Sequence, residues 1–285
     1  THLKLSLIGV SNMIYGNASW GFREMDLEEQ LKITAKMELP ILELGIANAP
    51  KDLPLDASDS ELENVKSLYK KYGVKLMCAA TGNDFTIGNR DDVEKVKRVI
   101  DICAKLGVKY LRVFAGFSPA AEVVGERWDI MIDCLNKVSG YAKSKGVYAV
   151  VETHGGVTGF DDGVEHFASV TTNIETLTKI LKQVPDIKVN YDPANLYAVG
   201  LKNQKDFLEK IKDRISCVHL KDFVKLPSGH LRPAACGESD FDWKTTLSML
   251  KDLECPAMFE YEIPENVEEG CKKCLEYIKK TEETI

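Results

Sequence analysis

No stretch of this chain approaches the roughly 20 consecutive apolar residues that a membrane-spanning helix needs, and its first ten residues read as a strand rather than a signal peptide. No membrane partner is expected, although the chain begins at Thr1 and removal of a leader stays open. Positive charge is also in short supply: 37 Lys and Arg stand against 44 Asp and Glu, a net charge of −7. No basic field invites nucleic acid or an anionic lipid surface. Paired metal-binding cysteines are missing too. Only Cys271 and Cys274 form a C-x-x-C, with no second pair to complete a zinc site, and residues three apart on a helix are simply neighbours. The eight cysteines therefore read as reduced core thiols, and the expected location is cytoplasmic. Linkers, low-complexity tracts and composition shifts are absent as well, so residues 1–285 read as one domain.

What is present is an unbroken alternation of strand-like and helix-like segments. Apolar runs predict strands at residues 3–8 (from Leu3 to Ile8), 41–46, 74–79, 108–114, 147–152, 187–191, 215–220 and 257–261. Residues 11–22 read as a loop carrying Tyr15, Trp20 and Phe22. Asp26 with Glu29, and Ser58 with Glu61, have the spacing of capping boxes that open helices. Eight strand-then-helix units are what a closed parallel barrel requires, so the expected fold class is α/β, a (β/α)8 TIM barrel. A doubly wound open sheet would want a Gly-rich phosphate turn after an early strand, and Gly9-Val10-Ser11-Asn12 is not one.

The segment VYAVVETHGG (147–156) carries the first chemical signal. A buried apolar strand ends there in Glu152 and His154, which share a side because strand side chains alternate. In a barrel the active site lies where strands end and loops begin. Three more strands end the same way: NYDPANL gives Asp192 and Asn195, VHLKD gives His219 and Lys221, and FEYE gives Glu260 and Glu262. Each signal has a plainer reading, such as an internal ion pair of Glu152 or Glu260 with Lys221 or Arg112, a core histidine, or a turn begun by Asp192. Four such coincidences on successive strand ends are the weaker account. Three carboxylates and an imidazole cannot gather bare, because like charges force one another to protonate. One divalent cation removes the conflict, with Mn²⁺ or Mg²⁺ first and Co²⁺, Fe²⁺ or Zn²⁺ also tolerated.

The segments VVETHGG, NYDPANL, VHLKD, CGESDFDW and FEYE, in this order, resemble the xylose isomerase-like barrel superfamily of sugar phosphate isomerases and epimerases, ketose 3-epimerases, inosose dehydratases and type IV apurinic endonucleases. The resemblance spans essentially the whole chain. It implies that Glu152, Asp192, His219 and Glu260 ligate a single metal, that Glu152 and Glu260 double as acid and base, and that His154, Asn195 and Lys221 contact substrate. Where ketose epimerases carry a histidine three residues after the metal aspartate, this chain has Asn195. The three-metal endonuclease site is missing, since the third and fourth strands offer Met77 to Ala80 and Arg112 to Ala115 without histidine. Secondary expectations are Arg112 on a sugar oxygen, on a phosphate or bridging to Glu152, Tyr15, Trp20 and Phe22 in an aromatic wall over the sugar, and Glu238 orienting His219 or touching substrate.

The expected function is a divalent-metal-dependent sugar isomerase or epimerase acting on a keto or aldo sugar, or a polyol-derived ketone, through a metal-bound enediolate. The alternative is a lyase or dehydratase on the same barrel, including elimination from a keto-glycoside. A non-catalytic carbohydrate-binding subunit or an endonuclease ranks below both. The expected partner is a small-molecule carbohydrate, with a homo-oligomer left open.

Overall fold

The structure is a computed structural model and describes residues 11–285, so the predicted strand at Leu3 to Ile8 lies outside the described residues. In chain order the strands are β1 (Ile14–Asn17), β2 (Ile41–Leu42), β3 (Leu44–Gly45), β4 (Cys78–Ala80), β5 (Tyr110–Val113), β6 (Tyr148–Glu152), β7 (Gly156–Gly159), β8 (Val164–Phe167), β9 (Lys188–Tyr191), β10 (Ile215–Leu220), β11 (Asp222–Lys225), β12 (Leu231–Ala234) and β13 (Pro256–Phe259). The α-helices are α1 (Leu27–Lys36), α2 (Asp59–Tyr72), α3 (Asp92–Leu106), α4 (Glu126–Ser144), α5 (Ile174–Gln183), α6 (Pro193–Ala198), α7 (Lys205–Ile211), α8 (Trp243–Leu250) and α9 (Val267–Glu282).

Parallel pairing runs β1–β13–β10–β9–β6–β5–β4. The ring closes because one short segment is used twice. β2 pairs with β1, placing Ile41 opposite Gly16, and β3 pairs with β4, placing Leu44 opposite Ala79. Glu43 sits at the handover. With β2 and β3 taken as one position, the eight-position barrel expected from the sequence results, with helices covering its outside.

β1 corrects the sequence reading, which placed residues 11–22 in a loop. Gly16 and Asn17 are poor strand formers by type, yet both are required in place. A Cβ at Gly16 would lie 2.6 Å from the carbonyl oxygen of Ile41, so a side chain there would block β2. Asn17 is fully buried and donates its amide to Oγ1 of Thr34 at 3.1 Å. The capping boxes divide as well. At α2, Oγ of Ser58 accepts from the Glu61 amide (3.3 Å) while Glu61 accepts from the Ser58 amide (2.7 Å). At α1 the expected box does not form, and Asp26 pairs instead with Lys51 at 2.9 Å.

The packing explains where the site must be. Ala18, Ile41, Cys78, Val150, Cys217 and Met258 form an apolar cluster inside the ring, while their neighbours Ala149, Val151, Val218 and Ala257 join the larger core. Side chains alternate along a strand. The residue two beyond each lumen residue therefore also faces the lumen, one layer nearer the strands' C-terminal ends: Glu43 beyond Ile41, Glu152 beyond Val150, His219 beyond Cys217 and Glu260 beyond Met258. A polar layer is thus stacked on an apolar one.

A second sheet, in the order β11–β12–β8–β7, is antiparallel and grows from the loops after β6 and β10. The sequence reading does not anticipate it. Cys271 and Cys274 are buried on α9, where Sγ of Cys274 accepts from the Cys236 amide at 3.1 Å. No helix among the described residues is long and apolar enough to cross a membrane.

Candidate metal centre

Glu152, Asp192, His219 and Glu260 each offer one ligand atom, and these four atoms lie within 4.8 Å of one another. Two ligands opposite each other across an ion at bonds of about 2.0–2.2 Å stand about 4 Å apart, so the spacing suits one divalent cation. All four residues are at most 3% exposed. Oδ2 of Asp192 and Nδ1 of His219 are buried with no aligned hydrogen bond among the described residues, and have only ion-pair contacts, with Lys221 at 3.2 Å and with Glu260 at 3.4 Å. Buried polar atoms normally have partners, and here a cation is the partner that the donor set fits.

The surroundings fix each ligand. Nε2 of His219 lies 3.2 Å from Oε2 of Glu43, whose Oε1 accepts from the amide (3.3 Å) and hydroxyl (3.1 Å) of Ser19. A carboxylate behind a histidine fixes the tautomer and turns the other nitrogen toward the metal. Asp192 caps α6, its Oδ1 accepting from the Asn195 amide at 3.0 Å, while Oδ2 faces Lys221. Asn195 then donates its side-chain amide to Oε1 of Glu152 and to the Thr153 carbonyl, both at 3.1 Å. Nε of Arg112 stands 3.3 Å from Oε2 of Glu152 as an ion pair not aligned for hydrogen bonding, while its Nη1 donates to the Thr81 carbonyl at 2.9 Å. Lys221 is held by Glu260 and Glu262, both at 2.8 Å, and by Oδ2 of Asp192 at 3.2 Å.

Charge is divided unevenly over this layer. Burial and the charge of Glu260 push the Glu152 carboxyl up to about 7. Burial also raises Asp192 to about 6. Glu260 goes the other way, because Lys221 and His219 outweigh its burial and hold it well below the usual carboxylate range. Glu43 is lowered too, with His219 outweighing burial. Burial disfavours the charged form of His219, but Glu260, Glu43 and Glu152 overcome it and raise its pKa well above the ordinary value.

The layer floors a cavity of about 390 Å³ lined by Glu152, Glu260, Arg112, Lys221 and His154, with Trp20, Phe114, Phe117 and Phe223 as aromatic walls. His154 sits edge-on to Phe114 and Phe117, each at 5.3 Å between centroids. Its Nδ1 meets the Gly155 carbonyl at 2.6 Å, and burial lowers its pKa to about 3.

Several expected contacts fall elsewhere. Asn195 is fully buried and touches Glu152 rather than the cavity. Glu238 is exposed, lies outside the cavity and accepts from the Ala235 amide at 3.0 Å, so the residue behind His219 is Glu43 instead. Tyr15 bonds Glu282 and Phe22 is buried in the core, leaving Trp20 as the wall residue of that loop. Among the residues that went unanticipated are Glu43, which supports His219 without lining the cavity, and His166, which lines it. Glu43 had a visible signal, a lone acid inside the apolar run ILELGI, whereas His166 on β8 had none.

A family model described as xylose isomerase-like TIM barrel matches residues 31–281. No curated protein matches the chain in sequence. Among solved structures, the probable 3-DHS dehydratase AsbF involved in petrobactin synthesis from Bacillus anthracis superposes with a TM-score of 0.76 at 14% identity, over 94% of this chain and 99% of that one. A D-allulose 3-epimerase from Methylomonas sp. gives 0.71 at 16%, over 96% and 99%. The IOLI protein with a bound zinc atom gives 0.71 at 20%, over 94% and 96%. At these identities the likeness is one of fold.

Proposed function

The chain belongs to the xylose isomerase-like TIM barrel family, and on that premise we propose that it is a divalent-metal-dependent isomerase or epimerase of a neutral keto or aldo sugar or a polyol-derived ketone. The observation that carries this reading is the convergence of Glu152, Asp192, His219 and Glu260 at the floor of the cavity, with two carboxylates of the set, Glu152 and Glu260, lining the cavity where a substrate would meet them.

Glu152, Asp192, His219 and Glu260 would hold the divalent ion, which would supply Lewis acidity toward the substrate carbonyl. Glu260, kept ionised by Lys221 and His219, removes the proton from the carbon beside that carbonyl, and the electron pair of the C–H bond moves toward the oxygen. Glu152, in its protonated form, returns a proton. Return to the same carbon from the other face gives the epimer; return to the former carbonyl carbon, with the hydroxyl proton passing from the neighbouring oxygen to the former carbonyl oxygen, gives the isomer. His154 stays neutral and presents Nε2 as an acceptor for a sugar hydroxyl, since its Nδ1 donates to the Gly155 carbonyl. The aromatic walls suit the apolar faces of a sugar and exclude water.

Neutral substrates are preferred because Arg112 and Lys221, the cations that line the cavity, are both committed to carboxylates. The small cavity and the charge of −7 support a carbohydrate partner over nucleic acid. Elimination of water is the second reading. It is favoured by the fold shared with a probable dehydratase. A metal-supplemented screen of ketoses and inososes in deuterated water separates the readings. Deuterium entering one carbon without loss of water supports epimerisation or isomerisation, an enone product supports elimination, and no reaction with any member contradicts both.

A further inference from the structure

Every imidazole described so far has a committed ring nitrogen: His219 faces Glu43, and His154 faces the Gly155 carbonyl. His230 is likewise paired, with Asp162 at 2.6 Å. His166 is different. It projects from β8 of the antiparallel sheet into the 390 Å³ cavity, and its Nδ1 is buried without a hydrogen-bond partner among the described residues. Its position is well defined, opposite Val157 across the β7–β8 pair and with its ring edge toward Phe223 at 4.8 Å between centroids. A leucine or phenylalanine would fill this place beside Phe223 without burying an unpaired polar atom, which costs about 1–3 kcal/mol. His166 also borders a second groove of about 630 Å³, shared with Tyr197, Lys202 and Lys225, so it stands where the cavity opens outward.

We propose that His166 is a substrate-binding residue, whose imidazole hydrogen-bonds a hydroxyl of the sugar at the end of the cavity formed by the antiparallel sheet. The assignment rests on the sugar isomerase or epimerase reading above. Burial, with the nearby Lys221 charge, lowers the His166 pKa to about 4, so the ring is neutral near pH 7. A neutral imidazole offers one donor and one acceptor, and a hydroxyl offers the same two.

The test uses the metal-loaded full chain and measures deuterium wash-in with D-fructose, D-allulose, D-tagatose and D-xylulose. For a ketose that exchanges, His166→Leu is expected to raise KM by about 10-fold with kcat changed far less, and His166→Gln to restore most of the loss. The imidazole ¹⁵N resonances of His166 in the Mg²⁺-loaded wild-type protein should shift when that ketose is added, a readout that does not depend on how a variant folds. A KM within twofold of wild type for His166→Leu, or unmoved His166 resonances, overturns the assignment while leaving the function in place. Exchange with none of the four ketoses overturns the assignment, and exchange with no member of the wider screen of ketoses and inososes overturns the isomerase or epimerase reading as well.

Discussion

Glu43 and the two catalytic candidates can each be tested by one substitution. Removing the carboxylate in Glu43→Ala frees Nε2 of His219 and is expected to weaken Mn²⁺ binding by about 10–100-fold, the usual effect of losing such a support, as read by calorimetric titration. Glu152→Gln and Glu260→Gln should each slow deuterium wash-in by about 10²–10⁴-fold, the range of general acid–base catalysis, with the fold retained by circular dichroism. The four convergent ligands were legible because an acid or imidazole closing an apolar strand breaks the pattern of its own segment. Glu43 was less so, since it sits within its strand at the handover between β2 and β3, and its purpose depends on His219, 176 positions away.

The antiparallel wall and the helices make different demands on glycine. A Cβ at Gly156 would lie 2.0 Å from the Phe167 ring and 2.5 Å from the Phe117 carbonyl oxygen. Gly156→Ala should therefore cost about 1–3 kcal/mol through overpacking and distort the cavity wall. Gly140 lies mid-way along α4 with nothing within 4 Å of its added Cβ, so Gly140→Ala should stabilise by about 0.5–1 kcal/mol through helix propensity. Urea unfolding of both variants checks the opposite signs. The strands of this wall escaped the sequence reading because VTGFDDGVEHF lacks the apolar density of the barrel strands, and because its two short hairpins, β7–β8 and β11–β12, are joined into one sheet only across a long gap, with Val164 opposite Leu231. β1 escaped for the opposite reason: its Gly16 and Asn17 suit a loop by type, and only the close approach of Ile41 and the bond to Thr34 reveal why a strand needs them.

At the scale of the whole molecule, eight alternating units announced the barrel, and the polar layer at its mouth links stability to pH. Glu152, Asp192 and His219 all hold protons more tightly in the folded, metal-free protein than their ordinary values allow. A raised folded pKa contributes stability that is complete below the unfolded value and is lost as pH rises through the folded one. The depressed carboxyls, Glu43 and Glu260, act only as pH falls below the ordinary carboxylate range. The melting temperature of the metal-free protein should therefore fall between about pH 5 and 8, by thermal scans in chelator. Added divalent ion should offset that loss and displace protons, so its affinity should rise over the same window.

The claim on which all of this depends is that Glu152, Asp192, His219 and Glu260 grip one divalent ion. Titration of the chelated protein with Mn²⁺, followed by calorimetry and by the loss of the free-ion electron paramagnetic resonance signal, tests it directly. The account predicts saturation at one ion per chain and loss of that binding in Asp192→Ala and His219→Ala. Absence of saturable binding in the wild-type protein, or undiminished binding in both variants, would contradict it.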